Sequence, residues 1–451
     1  MAHSRKSKNS LLGDTKKVLL AHIEPGSHLT IALSGGIDSV VLLHMLAMLS
    51  KQIHFTLSAV HVNHGISRNA TLWSRFCCNL CHAYGISIYV AYLQIKKEFG
   101  VSLEASAREE RYRIFNRIQA DYVVLAQHLD DQAETLLLQL LRGAGIKGLS
   151  AMPIVRKQVS DTAPQILRPL LEVSRSRIET YARQNKLNWI NDESNDDTTF
   201  NRNFLRHEIL PLLKKRYPSY PITLLRTSRH LSEASLMLDE LAVTDSESCL
   251  VSGKLQVDNL RKLSFPRAKN LLRYMLLQEG ANLPSAVKLE EILNQLLSVS
   301  SDNQFHISFA NTEVRCYKGA VYILHKKILP QESEQYSYVW RGEAYLILPY
   351  LNGTLYFTQA ENQGINQQKI LNEPITVRSR KGGERFKPAC NRPRKSLKNL
   401  LQEASIPPWE RSTLPLLFCS EKLIWVPGIG IDCEFQVKSG ELGILPIWCP
   451  K

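Results

Sequence analysis

The stretch IALSGGIDSVVLLHML, residues 31–46, constrains the fold most, because a short glycine- and serine-rich break separates two apolar runs. The run before the break, HLTIAL, predicts a buried strand, and the run from Ile37 to Leu49 predicts a packed helix. The break is therefore a strand-to-helix turn in which Gly35 and Gly36 let the backbone approach a ligand. Free N–H groups at the start of the helix would face that ligand, which predicts a phosphate-binding turn.

Residues 15–215 alternate strand-like and helical stretches, and the strand candidates are LTIAL, FTLSAVHV, ISIYVAYL and DYVVLA. This β-α rhythm predicts a doubly wound parallel sheet with helices on both faces. Ligands bind such sheets at the carboxyl ends of the strands, which is where the glycine turn lies.

The pattern changes twice after this region. Residues 216–300 carry apolar residues at helical spacing, whereas residues 303–357 are strand-like and contain an Asn352-Gly353 pair that predicts a two-residue hairpin turn. The polar segment QAENQGINQQKILNEP predicts a linker. We therefore expect an α/β chain of three domains: a doubly wound parallel-sheet domain at 1–215, a helical then α+β middle domain at 216–370, and a small basic α+β domain at 371–451.

The charge of the chain predicts a polyanionic partner. Lys and Arg number 56 against 42 Asp and Glu, and the resulting net charge of +14 most simply fits nucleic acid. Nine scattered cysteines without an export signal predict reduced thiols and a cytoplasmic protein. No apolar run approaches the ~18 residues of a membrane span, so we expect no membrane partner.

The stretch LAQHLDDQAETLLLQLLRGAG, residues 125–145, predicts a strand end followed by a helix with an acidic first turn. Asp131 and Glu134 are three residues apart and therefore share one helix face. An Asp-x-x-Glu pair at a helix start also suits a capping box, so a structural role stays open. Asp130 and His128 lie in the same turn, and carboxylates this close repel one another unless the helix dipole or a cation, such as Mg²⁺ or an ammonium group, offsets their charge.

Two further stretches concentrate basic residues. In NDESNDDTTFNRNFLRHEILP, Arg202 and Arg206 lie four residues apart on one helix face, where they suit a phosphate or a nucleobase edge, with a solvated surface pair as the alternative. Trp409 suits either base stacking or a core position. The segment from Arg378 predicts a polyanion site through a dense group of cations: Arg378, Arg380, Lys381, Arg385, Lys387, Arg392, Arg394, Lys395 and Lys398.

Two other groups of residues are weaker indications of a functional site. Cys77, Cys78 and Cys81 include a CxxC, but they lie in an amphipathic helix without a second CxxC, so buried thiols are favoured over a zinc or iron–sulfur site. In HVNHG, His61 and His64 lie at a strand end, where a turn with satisfied histidines is favoured over metal ligation.

The string SGGIDS resembles the pyrophosphate loop of the PP-loop ATP pyrophosphatases, which cleave ATP between the α- and β-phosphates and adenylate a carbonyl oxygen. Together with QHLDDQAET, SNDDTTFNRNFLR and the basic module KSLKNLLQEASIPPW, it makes nearly the whole chain resemble the tRNA(Ile)-lysidine synthetase family in its long, three-domain form. Two further stretches also resemble this family. They are the helix LEASAREERYRIF, with Glu104, Arg108, Arg111 and Tyr112, and the segment LRPLLEVSR, with Arg168.

The resemblance implies roles for the residues that match its motifs. Ser34, Gly35, Gly36, Ile37, Asp38 and Ser39 would bind ATP, with Asp38 as a ligand of Mg²⁺. Lysine would be bound by Asp130, Asp131 and Glu134, and the catalytic set would be Asp38, Asp131, Glu134, Arg202 and Arg206. The tRNA-binding set would be Arg378, Arg380, Lys381, Arg385, Arg392, Arg394, Lys395 and Lys398.

The enzyme implied by the resemblance is a ligase that joins the ε-amine of free L-lysine to C2 of the wobble cytidine in an isoleucine tRNA with a CAU anticodon. ATP adenylates the base, and AMP and pyrophosphate are released. The alternatives are a PP-loop tRNA thiolase and a non-catalytic RNA-binding protein on the same fold, and a homodimer stays open. A thiolase would need a catalytic cysteine or an iron–sulfur site near the loop.

Overall fold

The computed structural model describes residues 10–65, 67–93, 103–157, 163–298, 305–326, 337–371 and 373–450, with the backbone alone for residues 103–105 and 194. The chain forms two compact units, Met1–Leu241 and Ala242–Lys451. No helix among the described residues is long and apolar enough to cross a membrane.

The first unit is built on a mostly parallel sheet. Its described strands lie in the order β3-β2-β1-β4-β6-β5, and only β5 runs antiparallel to its neighbour. The strands are β1 (His28–Ala32), β2 (Thr56–Asn63), β3 (Ser87–Tyr92), β4 (Tyr122–Val124), β5 (Val155–Arg156) and β6 (Gln165–Leu167). The helices are α1 (Leu11–His22), α2 (Ile37–Leu49), α3 (Ala70–Ala83), α4 (Leu103–Phe115), α5 (Leu129–Leu141), α6 (Ile146–Leu149), α7 (Arg175–Gln184), α8 (Asn201–Phe204), α9 (Leu210–Arg216) and α10 (Tyr220–Cys249).

Helices cover both faces of this sheet, because successive residues of a strand point to opposite sides. Val123 packs with Phe115 of α4 on one face, whereas Val124 belongs to the larger core on the other face. This larger core includes Leu42 and Leu46 of α2. The predicted doubly wound parallel sheet is therefore confirmed, and its carboxyl edge presents the loops that follow β1, β2, β4 and β6.

The second unit begins within α10 and contains four described sheets. Their strand orders are β7-β8-β11-β10-β9, β12-β16-β19-β20-β21, β13-β14-β22-β15 and β17-β18. The strands are β7 (Leu250–Val251), β8 (Lys254–Gln256), β9 (Phe305–Phe309), β10 (Thr312–Tyr317), β11 (Ala320–His325), β12 (Ser337–Trp340), β13 (Tyr345–Leu348), β14 (Gly353–Glu361), β15 (Ile365–Asn366), β16 (Ile375–Arg378), β17 (Arg385–Phe386), β18 (Lys395–Ser396), β19 (Leu416–Cys419), β20 (Lys422–Val426), β21 (Gly430–Ile431) and β22 (Leu442–Pro450). The helices are α11 (Val257–Leu260), α12 (Phe265–Gln278), α13 (Ala286–Ser298), α14 (Leu397–Glu403) and α15 (Pro408–Arg411).

Two local predictions fail in this unit. The hairpin at Asn352-Gly353 forms between β13 and β14, but its connection is the four-residue turn 349–352, and Asn352 has a positive φ of 56°. The segment predicted to be a linker forms the end of β14 and all of β15, which both pair with β22. The boundary expected at residue 370 therefore lies within a pair of sheets that combine β12–β15 with residues 375–450.

Candidate active site

The glycine turn joins β1 to α2 at the carboxyl edge of the parallel sheet. Gly35 has a φ of 88°, and a Cβ there would lie 2.8 Å from Ile190 Cδ1, so both its conformation and its neighbours require glycine. The hydroxyl of Ser39 donates to the Gly36 carbonyl at 2.9 Å and accepts from the N–H of Ser34 at 3.2 Å. No described side chain caps α2. The first N–H groups of the helix therefore remain available to an anion.

Asp38 extends from the first turn of α2 toward the loop that follows β4. Its carboxylate pairs with Arg175, and its Oδ1 lies 3.7 Å from Nε2 of the buried His128. Burial raises the pKa of the Asp38 carboxyl, and the charges of His128 and Arg175 offset only part of this effect. Oδ1 is buried and has no hydrogen-bond partner among the described residues. A cation would satisfy this oxygen, and Asp38 therefore fits the predicted Mg²⁺ ligand.

The acidic turn at the start of α5 faces the same edge. Asp131 Oδ2 accepts the backbone N–H of His128 at 3.0 Å, so Asp131 does cap this helix. Its other oxygen accepts Nη2 of Arg202 at 2.7 Å. Burial by itself would raise the pKa of Asp131, but the charges of His128 and Arg202 outweigh burial and lower the pKa. Asp131 is therefore a carboxylate at neutral pH with both a structural and an electrostatic role.

Arg202 and Arg206 converge on Glu134, whose side chain is 1% exposed. Nε of Arg202 donates to Oε2 at 2.6 Å, and Nε of Arg206 donates to Oε1 at 2.7 Å. Arg202 lies on α8, and Arg206 lies on the π-helical turn Leu205–Ile209, a type of irregularity that is frequent at functional sites. The structure thus brings together the acidic and the arginine sets that were predicted separately.

The cluster holds four carboxylates against three guanidiniums: Asp38, Asp130, Asp131 and Glu134 against Arg175, Arg202 and Arg206. Glu179 adds a fifth carboxylate beside Arg175, and His128 lies within 3.7 Å of three of the acids, so one carboxylate charge remains in excess even when His128 is protonated. A bound cation, such as an ammonium group or a divalent metal, would balance this excess.

Sequence reasoning missed two members of this site. Arg175 begins α7, its side chain pairs with Asp38, and its backbone N–H donates to Asp130 Oδ2 at 2.8 Å. It ends the stretch LRPLLEVSR, and that resemblance was the only signal for it. Tyr220 begins α10, where burial and the charges of Asp130 and Glu134 raise its pKa to about 12. No sequence pattern indicated Tyr220, because it approaches the site only through tertiary packing.

The cysteine and histidine predictions agree with the structure only in part, because Cys78 is half-buried and Nδ1 of His64 is buried without a hydrogen-bond partner among the described residues. Burial raises the pKa values of Cys77 and Cys81 to about 12, so both are protonated thiols and poor nucleophiles at neutral pH. His61 bonds the Leu33 carbonyl at 2.8 Å, and His64 lies 3.1 Å from Nη2 of Arg111. Within the described ranges, no three Cys, His or carboxylate side chains form a ready metal-ligand group.

The nine cations predicted after residue 378 divide into two sets. Lys381, Arg385, Arg392 and Lys398 are exposed, and none of them forms an ion pair with a described carboxylate, as is also true of the half-buried Lys387. The other four are half-buried and paired: Arg378 with Glu421, Arg380 with Glu384, Arg394 with Asp432 and Lys395 with Glu403, with N–O distances of 2.7–3.4 Å. Only the cations without an ion pair keep their full charge for interaction with a partner.

Trp409 lies in a cluster of aromatic and cationic side chains in the second unit. Its ring meets those of Tyr317 and Tyr322 edge-on, with centroids 6.2 and 5.1 Å away, and Arg315 lies 5.0 Å from the ring centroid. Trp409 is therefore a packed, half-buried residue rather than an open stacking platform.

A glycine turn on a parallel sheet, facing buried carboxylates at its carboxyl edge, defines a PP-loop ATP-using domain. A PP-loop domain model matches residues 8–213, a TilS substrate binding domain model matches residues 255–322, and a TilS substrate C-terminal domain model matches residues 375–448. The chain belongs to the tRNA(Ile)-lysidine synthase family.

Two relatives show this membership. The tRNA(Ile)-lysidine synthase of Nitrosomonas europaea is 52% identical over 96% of this chain and 94% of its own length. That of Azoarcus sp. is 37% identical over 98% of this chain and 96% of its own length. Among solved structures, the U34-tRNA thiolase NcsA from Methanococcus maripaludis matches with a TM-score of 0.42 at 20% identity, over 49% of this chain and 78% of that one. A likeness this low does not bear on activity.

Proposed function

We propose that this chain is a tRNA(Ile)-lysidine synthase, which uses ATP to join free L-lysine to C2 of the wobble cytidine of the CAU-anticodon isoleucine tRNA. Family membership over nearly the whole chain supports this proposal. The structural observation that carries it is the meeting of the phosphate turn with the cluster of Asp38, Asp131 and Glu134 at one sheet edge.

The first step activates a poor electrophile. The cytosine O2 attacks the α-phosphate of ATP, the bond to the β-phosphate breaks, and pyrophosphate leaves. The N–H groups of Gly36, Ile37 and Ser39, with the hydroxyl of Ser34, would hold the phosphates at the positive end of α2. Asp38 would hold Mg²⁺, which neutralises phosphate charge when bound.

The second step replaces AMP by lysine. The ε-amine attacks C2, the bond from C2 to the adenylated oxygen breaks, and the amine loses a proton. Asp131 and Glu134, with Asp130 beside them, would hold the charged groups of lysine, and one carboxylate would accept the proton. Because Arg202 and Arg206 occupy these carboxylates, lysine binding would turn the guanidiniums toward the adenylate or the anticodon phosphates.

The segments after the catalytic domain would hold the tRNA. We keep the division at 1–215, 216–370 and 371–451 as a functional proposal. The first segment would catalyse the reaction, the second would recognise the substrate, and the third would bind the tRNA through its basic residues. The exposed cations Lys381, Arg385, Arg392 and Lys398 support the last assignment, since their charges are not paired with described carboxylates.

Incorporation of labelled lysine into a CAU isoleucine tRNA transcript tests this function, with AMP release followed in parallel. We expect equal lysine and AMP, and neither when the wobble cytidine is replaced. Asp131→Asn should abolish incorporation while tRNA binding persists. AMP release without lysine would indicate another nucleophile, and tRNA binding without ATP turnover would indicate a non-catalytic binding protein; each result contradicts the proposal.

A further inference from the structure

A second group of cations surrounds Tyr112 on α4, outside the cluster that the proposed reaction uses. The guanidinium carbons of Arg108 and Arg156 each lie 5.3 Å from the Tyr112 ring centroid. Arg168, which directly follows β6, is close enough to this pair for their charges to lower its pKa. Two guanidiniums therefore lie on one aromatic ring, with a third nearby.

Arg168 is 2% exposed, yet its hydrogen-bond acceptors are neutral. Nη1 donates to the Pro153 carbonyl at 2.9 Å, and Nε donates to Oε1 of Gln127. Burial lowers the pKa of Arg168, and the neighbouring charges of Arg156 and Arg108 lower it further. A buried guanidinium beside two others is costly without an anion, so this group has an unmet electrostatic requirement.

Arg108 and Arg156 are exposed, and neither forms an ion pair with a carboxylate of the described residues. Their neighbour Arg113 differs, since it pairs with Glu109 and Glu110 at 3.3 and 2.6 Å. Of the arginines on α4, Arg113 is therefore balanced by two acids, whereas Arg108 forms no ion pair with a carboxylate whose side chain the structure describes.

The position of the group suggests what that ligand is. Gln127, which accepts from Arg168, directly precedes His128 of the acidic cluster. We propose that Arg108 and Arg156, which lie on the ring of Tyr112, form with the nearby Arg168 a binding site for a backbone phosphate of the RNA whose base enters the active site. This inference rests on the proposed function for the identity of the RNA.

An RNA phosphate suits the site better than a phosphate of ATP. The turn at Gly35-Gly36 and the N-terminus of α2 already offer a site for the nucleotide phosphates. Exposed guanidiniums suit a polymer that lies across the surface, because their planar forks match the oxygens of a phosphodiester. The buried Arg168 would set the depth of the site, and the two exposed arginines would close around the phosphate.

Direct binding measurements test the site on the full chain. Fluorescence anisotropy with the isoleucine tRNA, over a salt series, would compare Arg108→Ala and Arg156→Ala with Arg113→Ala. We expect Arg108→Ala and Arg156→Ala each to weaken tRNA binding about tenfold at low salt. Each should also reduce the salt slope, which is the slope of the logarithm of the binding constant against the logarithm of the salt concentration, by about 1 in magnitude. Arg113→Ala should match the unsubstituted chain. ATP affinity by calorimetry should stay unchanged in all three.

Tyr112→Phe keeps the ring that Arg108 and Arg156 contact, so its tRNA affinity should stay close to that of the unsubstituted chain. Equal behaviour of Arg108→Ala, Arg156→Ala and Arg113→Ala would overturn the proposal, and so would a loss of ATP affinity with tRNA binding intact. The readout is binding, so failure of lysine incorporation in the unsubstituted chain would contradict the proposed function separately.

Discussion

Glu134 is the most enclosed acid of the candidate active site, and both of its oxygens accept from arginine. Glu134→Gln would leave two partly buried guanidiniums with a neutral partner, so we expect a loss of about 3 kcal/mol in unfolding free energy together with loss of lysine incorporation. Urea denaturation measures the first effect. Glu172→Gln is the control, because Glu172 pairs with Arg229 while both are about half exposed, and its effect should stay below about 1 kcal/mol. Equal losses in the two variants would contradict the proposed importance of this buried pairing.

The lowered pKa of His64 leads us to expect that the unfolding free energy depends on pH. Burial and the nearby charges of Arg111 and His61 lower the pKa of His64 from 6.5 to about 4. The unfolded chain therefore binds more protons than the folded chain between these values, and the unfolding free energy falls as pH drops from 6.5 to 4. His64→Gln should make the unfolding free energy less dependent on pH in this window and leave the dependence above pH 7 unchanged. Parallel curves for the two proteins between pH 4 and 6.5 would refute the assignment.

Single residues show where sequence reasoning reaches its limit. The spacing of Asp131 and Glu134 was enough to place them on one face of a helix, since helical periodicity is local. Their pairing with Arg202 and Arg206 joins residues 68 to 72 positions apart, and no local pattern determines such a partner. The same limit explains why Tyr220 was missed and why Arg175 was left without a role.

At the scale of elements, the turn between β1 and α2 depends on Gly35. Gly35→Ala places a Cβ 2.8 Å from Ile190 Cδ1 in a backbone conformation of positive φ, so we expect loss of ATP affinity and about 2 kcal/mol of stability. Gly85→Ala is the matched control, because Gly85 also has a positive φ, of 68°, but no atom within 4 Å of the added Cβ. Calorimetry with ATP and urea denaturation of both variants separate crowding from backbone strain. Normal ATP binding by Gly35→Ala would contradict the role of the turn.

The basic segment of the second unit permits a test with neighbouring arginines. Arg392 is exposed and unpaired with any described carboxylate, whereas Arg394 pairs with Asp432, which is 1% exposed. Arg392→Ala should reduce the salt slope of tRNA binding by about 1 and leave stability unchanged. Arg394→Ala should instead lower the unfolding free energy by about 2 kcal/mol, because a buried carboxylate loses its counter-ion. The reverse pattern, measured by anisotropy and urea denaturation, would show that pairing does not determine which cations reach the tRNA.

Elements were predicted best where the signal was local. The turn, the strand–helix alternation and the helical stretches of residues 216–300 follow from short-range periodicity, and the structure confirms them. The segment taken for a linker failed because β14 and β15 find their partner in β22, at the far end of the chain. A polar composition describes solvent exposure along one face of a strand, and it does not exclude the strand itself.

At the scale of the whole molecule, the net charge of +14 is spread over both compact units, and each unit carries exposed cations that form no ion pair with a described carboxylate. These include Arg108 and Arg156 in the first unit, and Lys381, Arg385, Arg392 and Lys398 in the second. Many other cations on the chain are paired with acids and add little to an external field. The polyanion predicted from composition is therefore expected to contact both units.

The double variant Arg108→Ala with Arg392→Ala tests this expectation. If one tRNA contacts both units at separate phosphates, the two losses of binding free energy should add within about 0.5 kcal/mol, and the salt slope should fall by about 2. Anisotropy with the four proteins of the cycle, at several salt concentrations, gives both quantities. Arg113→Ala with Arg394→Ala is the control pair, since the structure pairs both arginines with acids. A second independent phosphate contact must contribute its own counterion release. If the double variant therefore showed the same tRNA affinity as the single variant with the lower affinity, the tRNA would contact one unit alone.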